Sequence, residues 1–198
     1  MTCLNYFAYG SNMFAARLRC RVPSAQAIGA YRLMRHDLRF HKRSGKDDSA
    51  KCDAYATGDD DADDGSVVMG RLFRIAAGDA GKLDEAEGLG KGYERKTVCV
   101  MDDAGKVEDA FTYCATRIDT CLRPYTWYKE HVLAGAREAN FPDDYIDKIA
   151  AVAADKDPDR EREWREMALH DRWRRLCAGR FGARRTELSL IPRAHFGR

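Results

Sequence analysis

With 198 residues, a formal net charge of +2 and 44% hydrophobic residues, the chain has the make-up of one folded domain, or one domain with an appendage. That composition argues against global disorder. No apolar run approaches the ~18 residues of a membrane span and no basic-then-apolar leader opens the chain, so a cytoplasmic protein is expected.

Tyr6-Phe7-Ala8-Tyr9 is aromatic enough for a pleated, half-buried strand. Gly10-Ser11-Asn12 breaks it, with Ser and Asn suited to cap a helix that begins near Phe14. A strand, a tight turn and a helix N-terminus gather free backbone N–H groups at one point, which suits an anion, although many folds open this way. Ala27 to Phe40 reads as a bent or paired strand region, residues 41–53 as a polar loop, and Ala54 to Thr57 as a short strand. Asp59, Asp60, Asp61, Asp63 and Asp64 form an acidic loop without the ligand spacing of a calcium site.

Val67 to Ile75 reads as a central strand whose Gly70 marks a close approach by another group. Asp79 opens a short helix through Glu87, stopped by Gly88. Arg95–Met101 and Asp109–Arg117 read as a hairpin. Helices then follow after Pro124, at Pro142 and from Asp157-Pro158 to about Cys177. Strands followed by helices point to an α+β fold, with the sheet curled into a small barrel or roll, short inserted helices and a helical C-terminal part.

The seven cysteines are scattered and contain no Cys-x-x-Cys pair, which favours buried free thiols such as Cys99 over a disulfide framework or metal site. The five histidines show no ligand-like pairing, and no nucleophile elbow or phosphate loop is present. What remains is chemistry by a carboxylate and backbone amides. Glu87 stands at a helix C-terminus, where the negative dipole end disfavours the charged carboxylate, a property wanted in a general base near neutral pH. The ordinary alternative is a surface glutamate before a helix-ending glycine.

Four features in order resemble the γ-glutamylcyclotransferase family. They are Tyr6 to Met13; Arg21-Val22-Pro23-Ser24-Ala25 with Leu38-Arg39-Phe40; Leu83-Asp84-Glu85-Ala86-Glu87-Gly88; and Tyr128-Lys129 with Gly135 to Pro142 and Tyr145. The resemblance covers residues 3–158, which gives a family-like domain over 1–158 and a helical, Arg-rich extension over 159–198.

It implies an enzyme that converts γ-glutamyl-amino acids or γ-glutamyl amines to 5-oxoproline by attack of the substrate's own α-amine, without cofactor or metal. Glu87 would be the acid–base residue. Tyr9, Gly10, Ser11 and Asn12 would cradle the substrate, with Tyr93 and Tyr128 at the pocket and Tyr6 in the core. A homodimer is also implied. The alternative is a non-catalytic binding module of the same fold. Cys52-Asp53 stands where members often carry paired glycines, and the Glu87–Tyr93 segment is short, both of which bear on the pocket rim. The arginines of the tail (Arg172, Arg174, Arg175, Arg180, Arg184, Arg185) read as a solvated helix beside Glu161, Glu163, Glu166 and Asp171 in preference to a nucleic-acid surface.

Overall fold

Five strands close a barrel in the order β1-β5-β2-β6-β7, and two more, β3 and β4, form a separate sheet beside it. The computed structural model describes residues 2–58 and 65–182, with side chains described through Asp171. Its strands are β1 (Cys3–Ala8), β2 (Gln26–Met34), β3 (His36–Arg43), β4 (Ala50–Ala56), β5 (Val67–Ala76), β6 (Tyr93–Met101) and β7 (Val107–Ala115). Its helices are α1 (Ala15–Arg21), α2 (Ala80–Glu87), α3 (Thr126–Glu138), α4 (Asp143–Ala150) and α5 (Arg160–Gly182). This is the α+β barrel with inserted helices that the sequence implies. None of the described helices is long and apolar enough to cross a membrane.

Neighbouring barrel strands are antiparallel except where the barrel closes, at the parallel pairing of Tyr6 with Phe111. The core includes Phe7, Val68, Leu72, Phe73, Ile75 and Val100, all fully buried. Each such side chain contributes roughly 1.5–3 kcal/mol by leaving water. Gly70 meets the expectation of a close approach: a Cβ there would stand 2.3 Å from Phe7 Cζ and 2.7 Å from the Ala8 carbonyl oxygen. A larger residue in β5 would therefore push β1 away from the register that holds the Gly10 turn.

Three local expectations are corrected. Residues 41–53 are not one loop, because β3 runs to Arg43, β4 starts at Ala50 and only 44–49 connect them. The polar residues there are buried in partnership: His41 Nε2 lies 2.9 Å from Asp53 Oδ2, and the other oxygen of Asp53 accepts the Ala115 amide at 2.7 Å. Ser11 and Asn12 do not cap a helix; they belong to a single 3-10 turn over Ser11–Met13, and α1 begins at Ala15. Cys99 is exposed because it alternates with buried Val100 along β6, while Cys52 and Cys114 are the buried free thiols. The acidic run Asp59 to Asp64 lies outside the described residues.

Helix α2 ends as predicted at Gly88, whose φ of 73° is the left-handed value that glycine adopts without strain. That stop sets Glu87 at the last turn. Helix α3 buries Tyr128, Val132 and Ala136 along one face. The segment after Pro158 folds back onto the domain. Arg162 donates two bonds of 2.6 Å to Asp157, which also accepts Trp127 Nε1 at 2.7 Å. Glu166 takes the Arg17 guanidinium and lies 3.0 Å from His131 Nε2. His170 stacks against both Phe14 and His131, which also stack on each other. The side chains of Arg172, Arg174, Arg175 and Arg180, and all of Arg184 and Arg185, lie outside the description.

Candidate active site

The Gly10 turn, the end of α2, the start of β6, strand β4 and helix α3 converge on one recess. Its walls include Tyr9, Gly10, Ser11, Asn12, Glu87, Tyr93 and Tyr128, joined by Tyr6, Cys52 and Tyr113. All seven residues singled out in the sequence are therefore brought together. The recess holds about 20 Å³, room for a water-sized group. It opens into a cleft of about 720 Å³ that shares Ser11, Glu87, Tyr93 and Tyr128 as walls. A small reacting group fits the recess, and the body of a ligand fits the cleft.

Glu87 is fixed through one oxygen. Its Oε1 accepts Asn12 Nδ2 at 2.8 Å and Arg21 Nη1 at 2.8 Å. The same Arg21 nitrogen donates to Asn12 Oδ1 at 2.9 Å, and Asn12 Nδ2 also donates to the Tyr6 hydroxyl at 3.0 Å. Among the described residues Oε2 of Glu87 takes no hydrogen bond. One carboxylate oxygen is thus a structural anchor and the other is available for proton exchange.

The tyrosines build the recess by bonding its backbone. Tyr9 donates to the Tyr113 carbonyl, and Tyr93 donates to the Cys52 carbonyl. Tyr128 Oη accepts the Cys52 amide at 3.0 Å. Burial pushes the phenols of Tyr6, Tyr9, Tyr93 and Tyr128 upward, so all four stay neutral at physiological pH. Burial likewise pushes the Cys52 thiol up to about 12, which leaves it protonated and a poor nucleophile. Glu87 is the carboxylate that lines the recess. Among the described residues no cluster of His, Cys, Asp or Glu stands at metal-binding spacing.

Comparison with known proteins bears on the same elements. A family model described as the AIG2-like family matches residues 67–149, from β5 to α4. The γ-glutamylcyclotransferases of Homo sapiens and Mus musculus are each 31% identical over 148 residues, which is 74% of this chain and 77% of the relative. The chain belongs to the γ-glutamylcyclotransferase family. A solved γ-glutamyl cyclotransferase superposes with a TM-score of 0.68 at 27% identity, covering 78% of this chain and 90% of that one. The protein is therefore an enzyme of this family.

The sequence missed parts of this γ-glutamylcyclotransferase recess. Arg21 entered only as part of a family-like segment, yet it holds Glu87. Tyr6 was placed in the core; it is buried, but its hydroxyl reaches Asn12 and the recess wall. Lys42 and Lys51 fell in the supposed loop and instead line the cleft. Burial lowers the Lys51 pKa to about 8 although Asp47 works against the shift. No local signal marks these residues, because β3, β4 and α1 reach the site only through the tertiary fold.

Proposed function

We propose that the protein cyclises γ-glutamyl-amino acids, or γ-glutamyl amines, to 5-oxoproline and the free amino acid or amine. The observation that carries this reading is Glu87, with Oε1 anchored by Asn12 and Arg21, Oε2 unbonded, and the Gly10 turn facing it. Glu87 takes a proton from the substrate's α-ammonium. The amine nitrogen then attacks the γ-carbonyl carbon within the same molecule, and the carbonyl electrons move to oxygen. Backbone N–H groups of the turn from Tyr9 to Asn12 stabilise that oxyanion or hold the α-carboxylate. Collapse breaks the C–N bond to the leaving nitrogen, which receives the first proton from Glu87, and the second proton shed by the ring nitrogen passes through the same carboxylate to the freed amine, which departs as its ammonium.

No water is consumed and no external nucleophile is needed. Five-membered ring closure supplies a high effective molarity, so the protein has only to fold the substrate, relay protons from the ring nitrogen to the leaving nitrogen and steady one charge. Neutral Tyr93 and Tyr128 wall the substrate in. As part of this proposal the enzyme works in the cytoplasm and as a homodimer, both by resemblance to the family.

The test is 5-oxoproline release from a panel of γ-glutamyl compounds by wild type and Glu87→Gln. Loss of about 10²-fold or more in kcat, with folding intact, supports both the reaction and the base. Equal rates in the two proteins would remove Glu87 from the mechanism. Binding of γ-glutamyl compounds without release of 5-oxoproline would turn the reading to a non-catalytic binding module.

A further inference from the structure

The cleft that leads to Glu87 carries a buried cation that has no ion-pair partner among the described residues. Lys42 is only 5% exposed, yet among the described residues its ammonium makes no ion pair and no side-chain hydrogen bond. The ammonium sits 4.3 Å from the centre of the Tyr93 ring. The stem passes the backbone of Gly92, where a Cβ would stand 3.1 Å from Lys42 Cε. The group is therefore held in place, and it lines the cleft.

Most other cleft cations have partners; Lys91, which makes no ion pair among the described residues, is exposed to solvent where Lys42 is buried. Arg17 pairs with Glu166, Arg21 with Glu87, Lys51 with Asp47, and Arg162 with Asp157. Lys46 donates to the Ala86 carbonyl at 3.0 Å, one residue before Glu87. Burial lowers the Lys42 pKa; Glu87 and Asp47 oppose that shift, while Lys46 and Arg117 add to it. With Lys51, which feels the Lys42 charge in turn, its electrostatic neighbours are two acids and three bases. The cleft as a whole is lined by eight Lys and Arg against four Asp and Glu, so its field is positive. A desolvated ammonium without a partner is costly, and an anion arriving from outside relieves the cost.

We infer that Lys42, flanked by Lys46 and Arg117, forms a subsite for an acidic leaving group. The favoured substrates are γ-glutamyl compounds whose leaving amine is a dicarboxylic amino acid or an acidic peptide. The inference rests on the cyclotransferase reading, since Lys42 stands on the cleft side of Glu87 and Tyr93, where the group beyond the scissile bond emerges. One carboxylate of such a leaving group meets Lys42 and a second meets the field of Lys46 and Arg117. A leaving group without an acidic side chain leaves that second field unanswered.

The test compares γ-glutamylglutamate with γ-glutamylglutamine, which differ by one carboxylate against an amide of the same shape. Wild type is expected to favour the acidic substrate in kcat/KM by roughly tenfold or more, mostly through KM, with the preference shrinking as salt rises. Lys42→Met, which keeps the stem over Tyr93, is expected to bring the ratio close to one, and Lys42→Arg to retain it. A wild-type ratio near one, with both substrates turned over, would overturn the subsite and leave the cyclotransferase reading standing. Turnover of neither substrate would overturn that reading instead. Calorimetric binding of γ-glutamylglutamate then decides the subsite: weaker binding by Lys42→Met supports it, and equal binding by the two proteins overturns it.

Discussion

Arg21 Nη1 lies 2.8 Å from Glu87 Oε1 and 2.9 Å from Asn12 Oδ1, so one nitrogen ties the end of α1, the Gly10 turn and the end of α2 together. The turn and α1 are neighbours in the chain, whereas the end of α2 arrives from 66 residues away. A carboxylate at the C-terminal end of a helix faces carbonyl dipoles that repel it. The guanidinium supplies the counter-charge and fixes which oxygen of Glu87 is occupied. Arg21 is thus a positioning residue that acts through Glu87.

That role predicts a specific pattern of non-additivity. Arg21→Met removes two charge-assisted hydrogen bonds at a partly exposed site and is expected to lower kcat for 5-oxoproline release by about tenfold. If Arg21 acts only through Glu87, adding Arg21→Met to Glu87→Gln costs nothing further. Steady-state kinetics on the two single variants and the double variant check this. An undiminished kcat in Arg21→Met, or fully additive losses, would remove the positioning role.

Gly135 predicts how closely the turn depends on α3. A Cβ at Gly135 would stand 2.4 Å from Met13 Cβ and 2.6 Å from the backbone of Met13 and Phe14. Gly135→Ala gains about 1 kcal/mol of helix propensity. Overpacking costs roughly 1–3 kcal/mol, and here the obstacle is largely backbone, so a net loss of stability is expected. The displaced atoms adjoin Asn12, so kcat should fall further than the loss of folded protein explains. Urea denaturation and kinetics on the same sample measure both, and a variant that is more stable and fully active would contradict the close packing.

Residues that signal through their neighbours in the chain were legible. Gly70 and Gly88 mark local backbone events, and the apolar run of β5 marks a buried central strand. Glu87 and the Gly10 turn were legible only as a spelling that resembles a family, since a glutamate before a glycine has an ordinary surface reading. The β3–β4 sheet was legible only over residues 36–40 and 54–56, because His41, Lys42, Lys51 and Asp53 have the composition of a loop. His41, Lys51 and Asp53 are tolerated inside by partners from other elements, such as the Ala115 amide for Asp53 and the rings of Trp127 and Tyr128 for Lys51, while among the described residues the Lys42 ammonium has only the Tyr93 ring. Such pairings join residues that no periodicity relates.

Tyr128→Phe separates building the recess from touching a substrate. The hydroxyl accepts the buried Cys52 amide at 3.0 Å, and its removal leaves that N–H without an acceptor. The expected destabilisation is roughly 1–3 kcal/mol in denaturant melts. A loss of kcat/KM beyond a few-fold under conditions where the variant remains folded would place the hydroxyl against the substrate as well. Unchanged stability would show that the Cys52 amide finds another partner.

The docking of α5 is expected to weaken in acid. His131 is fully buried, with Glu166, Arg17 and His170 as its charged or titratable neighbours and Phe14 and Trp127 packed around it. Burial lowers its pKa to about 4; Arg17 and His170 work in the same direction, and the Glu166 contact opposes them. In the unfolded chain a histidine titrates near 6.5. Between those values the unfolded state binds a proton that the folded state refuses, so stability falls as pH drops from about 6.5 to 4. Glu166 extends the loss. Burial works to raise its pKa, but the His131 hydrogen bond and the Arg17 charge prevail and hold it at about 2, against about 4.5 unfolded. Its share is therefore lost from about pH 4.5 downwards. His131→Gln removes the first contribution and keeps a polar group near Glu166. From pH 7 to pH 5 wild type should lose roughly 2 kcal/mol more stability than the variant, as linkage requires of such a shift. Denaturant melts at the two pH values measure it, and parallel losses in the two proteins would show that His131 does not carry the acid sensitivity.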